Sequence, residues 1–318
     1  MRLFSVLFNK KTETEKKFFM YHFGISSDST CDLKKDYVKS HEIFIAPLRF
    51  VMEQNGELFD GVDDFQTYDE YAVFYEKLRA GAFSRTSMLN EAGIYAHFKT
   101  LVNTGVKEWV HFSLSSGLSP TAVVAQKAAD MIHEKYPDVN IYVVDSLTAT
   151  VGQGILVKLA VDCREKGMSA EETFEKVSAL KNHVQHCIIP DNLNYLKRGG
   201  RISSVSAAVG TMLNIKPMLA FDGDGRLKVV EKCKGMKKAF FRIGESVLKA
   251  PVDEIGLIVV VHTGNQTGAE ELAKLVEEKT GIKPAIEIMG PVIGSHVGPG
   301  SVSCAWLSKK TRAELIGE

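Results

Sequence analysis

The stretch Trp109-Val110-His111-Phe112-Ser113-Leu114-Ser115-Ser116-Gly117-Leu118-Ser119-Pro120-Thr121 decides the fold. Its apolar run, bounded by turn residues, predicts a buried strand. Pro120 then opens an apolar-periodic segment, Thr121 to Tyr136, that predicts a helix. Ser119 ahead of Pro120 fits an N-cap followed by a proline in the first turn. A strand tip running straight into a helix start gathers hydroxyls and free backbone N–H groups in one crevice, and such a crevice suits an anion.

Working outward, the same alternation recurs. Tyr21 to Ser26 predicts a strand ending in Ser27-Asp28-Ser29-Thr30, and Ile141 to Val144 predicts another ending in Asp145-Ser146. Ile43 to Val51 reads as a strand with Pro47 marking an edge or bulge. Helices are predicted for Phe65 to Ala80 and from Asn90 to Asn103, with Ser84 to Asn90 as a loop. Strands alternating with helices imply βαβ units and a parallel sheet, whose ligands bind beyond the carboxyl ends of the strands. The Ser/Thr/Asp/Gly clusters at 27–30, 115–119 and 145–154 all lie at such ends.

The second half changes character. A helix from Gly154 to Lys166 leads into it, and Asp222-Gly223-Asp224-Gly225 between Ile215–Phe221 and Leu227–Lys232 signals a hairpin. Strands at Ile255–His262, Ala285–Met289 and Val302–Leu307 alternate with helices at Gly235–Lys249 and Thr267–Thr280. The expected fold class is α/β in two domains. Residues 21–160 form an N-terminal α/β/α domain with a parallel sheet, and 161–318 a two-layer α/β domain with a mixed sheet. Residues 1–20 read as an extension.

Composition narrows the function. Hydrophobic residues make up 45% of the 318, and Lys+Arg and Asp+Glu are both 39, so no basic excess points to nucleic acid or a membrane surface. Five dispersed cysteines predict reduced thiols in a cytoplasmic protein. No apolar run is long enough for stable membrane insertion. P-loop, G-x-G-x-x-G, H-E-x-x-H and G-x-S-x-G patterns are all missing, which argues against an NTPase, a dehydrogenase, a zincin and a lipase-type hydrolase. His183 and His186 share helical spacing, but no carboxylate set completes a metal site, and both read as surface residues.

Three further segments carry chemistry. Ser115, Ser116 and Ser119 serve either as turn and cap residues or as anion ligands; Ser119 is the natural cap and Ser116 the better ligand contact. Gly290 to Gly300 places His296 in a Gly/Pro-rich loop, where an imidazole can approach a ligand closely. Lys197-Arg198-Gly199-Gly200-Arg201 either positions an anion or an acidic partner, or is a solvated basic helix end.

Taken together, Asp28-Ser29-Thr30, Ala46-Pro47-Leu48, Arg85-Thr86-Ser87, Ser115-Ser116-Gly117-Leu118-Ser119, Asp145-Ser146, Leu196-Lys197-Arg198-Gly199-Gly200-Arg201-Ile202, Ile215-Lys216-Pro217 and His296-Val297-Gly298-Pro299-Gly300 resemble the DegV family. Its characterised members are the fatty-acid-binding subunits of bacterial fatty acid kinase. The resemblance implies a long-chain fatty acid held between two domains, with no cofactor and no metal. Its carboxylate would meet Thr86, Ser116 and His296, with Ser87, Ser115, Gly117 and Ser119 as secondary candidates. It also implies a separate ATP-binding kinase subunit that makes an acyl-phosphate, and it places Arg201 on the face toward that partner. Met88-Leu89-Asn90 departs from the family's usual Gln-Pro-Ser, and Pro120 replaces a glycine. Two rival readings are a hydrolase or transferase using Ser116 with His296, and a carrier for another amphiphile.

Overall fold

The computed structural model describes residues 21–201, 214–253 and 256–316. The expected extension at 1–20 lies outside the described residues. Among the described residues, three sheets organise the chain. Strands β1 (Gly24–Asp28), β2 (Ile43–Ala46), β3 (Arg49–Gln54), β4 (Glu57–Val62) and β5 (Phe83–Ser87) come first. They are followed by β6 (Glu108–Ser113), β7 (Asn140–Asp145), β8 (Val184–Ile189), β9 (Ile215–Phe221) and β10 (Leu227–Lys234). The last are β11 (Ile258–His262), β12 (Ala285–Ile288) and β13 (Val302–Leu307).

The first sheet, in order β2-β1-β6-β7, is wholly parallel. β1 and β6 are its buried centre, and helices cover the sheet as parallel topology demands. On one side Ile94, Phe98 and Leu101 of the helix Glu91–Asn103 pack with Ala125, Ala128 and Ile132 of the helix Thr121–Lys135 around Trp109. A six-stranded mixed sheet, β10-β9-β8-β13-β11-β12, forms the second half. All its pairings are antiparallel except β11 with β12. The two-part α/β architecture, one parallel and one mixed sheet, is therefore as the sequence predicts.

The helix Val151–Glu165 joins the two halves. It is apolar nearly all round, and a helix of that kind is stable only when enclosed. Ile155, Leu156, Val157 and Leu159 share one continuous core with Phe23, Ile25 and Val110 of the first half and with Val184, Val259 and Ala305 of the second.

Five expectations change. Ile43–Val51 is two strands, because Pro47 lacks the N–H that would continue the ladder and the chain leaves one sheet for another. The segment 84–90 is not all loop: β5 pairs antiparallel with β3, which also pairs with β4, making a small third sheet that the sequence reading lacks. The Gly/Pro-rich segment 290–300 holds a short helix, Pro291–Val297, with proline in its first turn and Gly298 beyond its end at φ +78°. Ser119 does not cap the helix that follows it. Pro120 occupies the N-cap position, and Ser119 Oγ pairs with Thr121 Oγ1 at 2.8 Å. His186, expected at the surface, is buried in β8.

Candidate functional site

The polar clusters at the strand ends divide between two jobs. Asp28, buried at the end of β1, accepts from the Leu114 N–H at 2.7 Å, the Thr30 N–H at 3.1 Å and Gln153 Nε2 at 3.0 Å. Burial pushes its carboxyl above the usual range. These bonds tie β1, β6 and the joining helix together, so the cluster at 27–30 is structural and is not part of the cavity wall described next.

That cavity, about 350 Å³, lies between the halves. This is a ligand-sized space. Leu114 and Ala149 from the first half, Ile188 and Phe221 from the mixed sheet, and Val292 and Ile293 from the short helix make it apolar. Its polar groups include Thr86, Ser87, Ser119, Thr150, Arg201 and His296.

Thr86 and His296, far apart in sequence, meet there, with Thr86 Oγ1 2.7 Å from His296 Nε2. The local sequence explains the meeting. Ser84 and Thr86 are two residues apart on β5 and so face the same way. Ser295 and His296 are consecutive on the short helix, and Ser84 Oγ bonds Ser295 Oγ at 2.7 Å. Pairing of the serines sets the helix against the strand and brings the imidazole onto Thr86. The helix is pinned at its start as well: the Gly290 N–H donates to Asp32 Oδ1 at 3.0 Å, and Tyr75 OH donates to the Met289 carbonyl at 2.6 Å.

Burial, with Arg201 as the lesser cause, holds His296 down to about 4, so the imidazole is neutral at physiological pH. Behind it lies Gly199, where an added Cβ would stand 2.3 Å from His296 Nδ1. Arg201 Nε donates to the Leu118 carbonyl at 3.2 Å, anchoring the guanidinium beside the turn 115–119.

The predicted site residues do not all converge. Thr86, Ser87, Ser119, Arg201 and His296 line the cavity; Ser115, Ser116 and Gly117 do not. The Leu118 and Ser119 N–H groups both bond back to the Ser115 carbonyl, and one such turn separates the directions of these serines. Ser116 is exposed, and its N–H donates to Asp145 Oδ1 at 3.1 Å. Among the described residues no hydrogen bond joins it to His296, so the pair is not set up as nucleophile and base. Ser115 donates to the Gly225 carbonyl at 2.8 Å, and a Cβ on Gly117 would strike that same carbonyl at 2.4 Å. These two residues lock the turn onto the hairpin of the other half. Arg201 is partly buried and lines the cavity. Sequence reasoning missed Ser84, Ser295 and Gly199; the Ser84/Thr86 spacing is the signal that could have found the first.

Among the described residues no group of three or more His, Cys, Asp or Glu side chains could hold a metal ion, and no helix is long and apolar enough to cross a membrane. Chemically, the arrangement is an alkyl-sized chamber with hydroxyls, a neutral imidazole and one guanidinium at its polar end.

Known proteins share this build. A DegV domain-containing protein of Lactococcus lactis, YteA, is 34% identical over 295 residues, covering 91% of this chain and 99% of its own. The crystal structure of a DegV lipid-binding protein from Thermotoga maritima superposes with a TM-score of 0.78 at 26% identity, over 91% of this chain and 99% of that one. A stearic acid-binding protein from Eubacterium ventriosum gives a TM-score of 0.78 at 26% identity, over 90% and 98%. The sequence profile described as "Uncharacterised protein, DegV family" matches residues 22–309. With that span matched and the two-lobed cavity in place, the chain belongs to the DegV family.

Proposed function

We propose that this protein binds a long-chain fatty acid in the cavity between its halves and presents the carboxylate to a separate ATP-dependent kinase subunit. The observation that carries the reading is the apolar chamber ending at the Thr86–His296 pair. Burying roughly 15 methylenes at about 0.8 kcal/mol each gives on the order of 10 kcal/mol of gross transfer free energy, which the costs of association then reduce. A carboxylate drawn inside stays charged only where donors meet it. Thr86, His296 and Ser119 are the donors in this proposal, with Ser119 taking the place first expected for Ser116. The lipid binding named for the Thermotoga protein and the stearic acid named for the Eubacterium protein support the same class of ligand.

In the kinase step, a carboxylate oxygen attacks the terminal phosphorus of the triphosphate on the partner. A C–O–P linkage forms, the bridging bond to the β-phosphate breaks, and the nucleoside diphosphate leaves. Arg201, between the cavity and the loop 115–119, stands where that partner would approach. Mass spectrometry of a denaturing extract should show a long-chain fatty acid. A lipid-free protein that also fails to take up palmitate or oleate overturns the reading. The exposed position of Ser116, away from His296, favours this binding role over the hydrolase alternative.

A further inference from the structure

A second cavity, of about 410 Å³, backs onto the first and shares Thr86, Arg201 and His296 with it. Its other walls include Phe83, Arg85, Tyr195 and Arg198, and among the described residues no carboxylate lines it. Arg85 and Arg198 both lie over the Phe83 ring, at 5.0 and 5.2 Å from its centre, and Arg198 is also 4.7 Å from the Tyr195 ring. Stacking of this kind holds a guanidinium in place and leaves its N–H edge free to bond an oxyanion. Among the described residues none of the three arginines forms an ion pair, whereas Arg79, Arg226 and Arg242 do.

Three guanidiniums around one cavity, beside an imidazole that is neutral, make a concentrated positive site. One negative charge at Thr86 and Arg201 would still leave Arg85 and Arg198 without a counter-charge. A tetrahedral dianion matches that remainder in charge and in the paired N–H geometry that Arg offers. We propose that this basic cavity is a phosphate site, opening through the Thr86–His296 pair onto the head-group end of the lipid cavity. The phosphate group is either free inorganic phosphate or a phosphoryl group carried on the bound carboxylate; the second source rests on the function proposed above.

The test uses the full-length protein, the R85Q/R198Q double variant and R198K, with three probes: palmitate, inorganic phosphate, and the ketophosphonate analogue of palmitoyl phosphate. In the double variant the ketophosphonate should bind about tenfold or more weakly, as loss of charge-assisted hydrogen bonds predicts, while palmitate changes less than twofold. R198K should lie between wild type and the double variant. Saturable binding of inorganic phosphate that the double variant loses identifies the free source; an effect confined to the ketophosphonate identifies the carried one. Equal weakening of palmitate and ketophosphonate, or unchanged binding of both phosphorus probes, overturns the proposal. A wild-type protein that ignores palmitate yet binds inorganic phosphate through these arginines would sink the lipid reading alone.

Discussion

Thr86 Oγ1 lies 2.7 Å from His296 Nε2, joining a strand of the small sheet to a helix near the other end of the chain. Each group fixes the other's orientation before any ligand arrives, so little ordering is left to be done on binding. Thr86→Val keeps the shape and removes the hydroxyl. Loss of one hydrogen bond to a charged group is worth about 1.5–3 kcal/mol, so palmitate affinity should fall at least tenfold with thermal stability little changed. Ser119→Ala should weaken palmitate in the same direction, whereas Ser116→Ala should leave it within twofold. Titration calorimetry on the three variants decides, and a Ser116→Ala loss matching that of Ser119→Ala would reject the cavity assignment.

Gly199 supports the same imidazole from behind. Its φ of −71° is open to any residue, so alanine is excluded there by space and not by backbone conformation. A Cβ at 2.3 Å from Nδ1 would push the ring off Thr86. Gly199→Ala should therefore cost palmitate affinity about as much as His296→Ala, without removing any donor from the protein. Retention of wild-type affinity would show that the ring has room to move.

How readable this site was from sequence depended on which residues carried it. The hairpin at Asp222–Gly225 and strand Val302–Leu307 announce themselves, because turn chemistry and an apolar run each act locally. β5 does not: Phe83-Ser84-Arg85-Thr86-Ser87 has one apolar residue, and its strand character comes from pairing with β3. The helix bearing His296 is similarly hidden, since its glycines and prolines suit a loop until Pro291 is seen in the first turn. Choosing between Ser116 and Ser119 needed the turn geometry, which residue types alone leave open. The Gly/Pro-rich loop pointed to His296 and the family resemblance joined Thr86 to it; the distance between them is a property of tertiary structure.

Gly290 sits against two buried carboxyl groups: a Cβ there would be 2.6 Å from Asp32 Oδ1 and 3.0 Å from Asp63 Oδ1. Ser29 Oγ donates to Asp63 Oδ2 at 2.9 Å. Burial pushes Asp63 up to about 7 and raises Asp32 well above its ordinary value, with Asp63 adding to the shift at Asp32. An unfolded Asp titrates near pH ~3.9. The stabilising protonated form is thus fully effective below about pH 4, and its contribution is lost as pH rises to about 7. Asp63→Asn keeps an acceptor for Ser29 and removes the titration. Its stability relative to wild type should improve by on the order of 2 kcal/mol between pH 5 and pH 8. Urea denaturation at both values measures the gap, and a gap independent of pH would contradict the assignment.

Arg312, 1% exposed, is a buried charged side chain that ties the two halves together. Nε donates to the Val184 carbonyl at 2.9 Å, and Nη1 to Leu147 at 2.7 Å and Asp222 at 3.2 Å. Nη2 reaches the Lys181 carbonyl at 3.2 Å. Leu147 follows the last strand of the parallel sheet, while Val184 and Asp222 belong to the mixed-sheet half, so one guanidinium spans the junction beside Phe221 of the cavity wall. Burial lowers its pKa to about 10, which still leaves it charged at neutral pH. Arg312→Met fills similar space but strands four carbonyls, and should destabilise the protein by about 3–5 kcal/mol. Lysine restores the charge without the planar fork that reaches several carbonyls at once, so Arg312→Lys should recover only part of the loss. Urea unfolding of both variants separates the two contributions: full rescue by lysine would mean that charge alone matters there, and a methionine cost under about 1 kcal/mol would mean that the carbonyls find other partners.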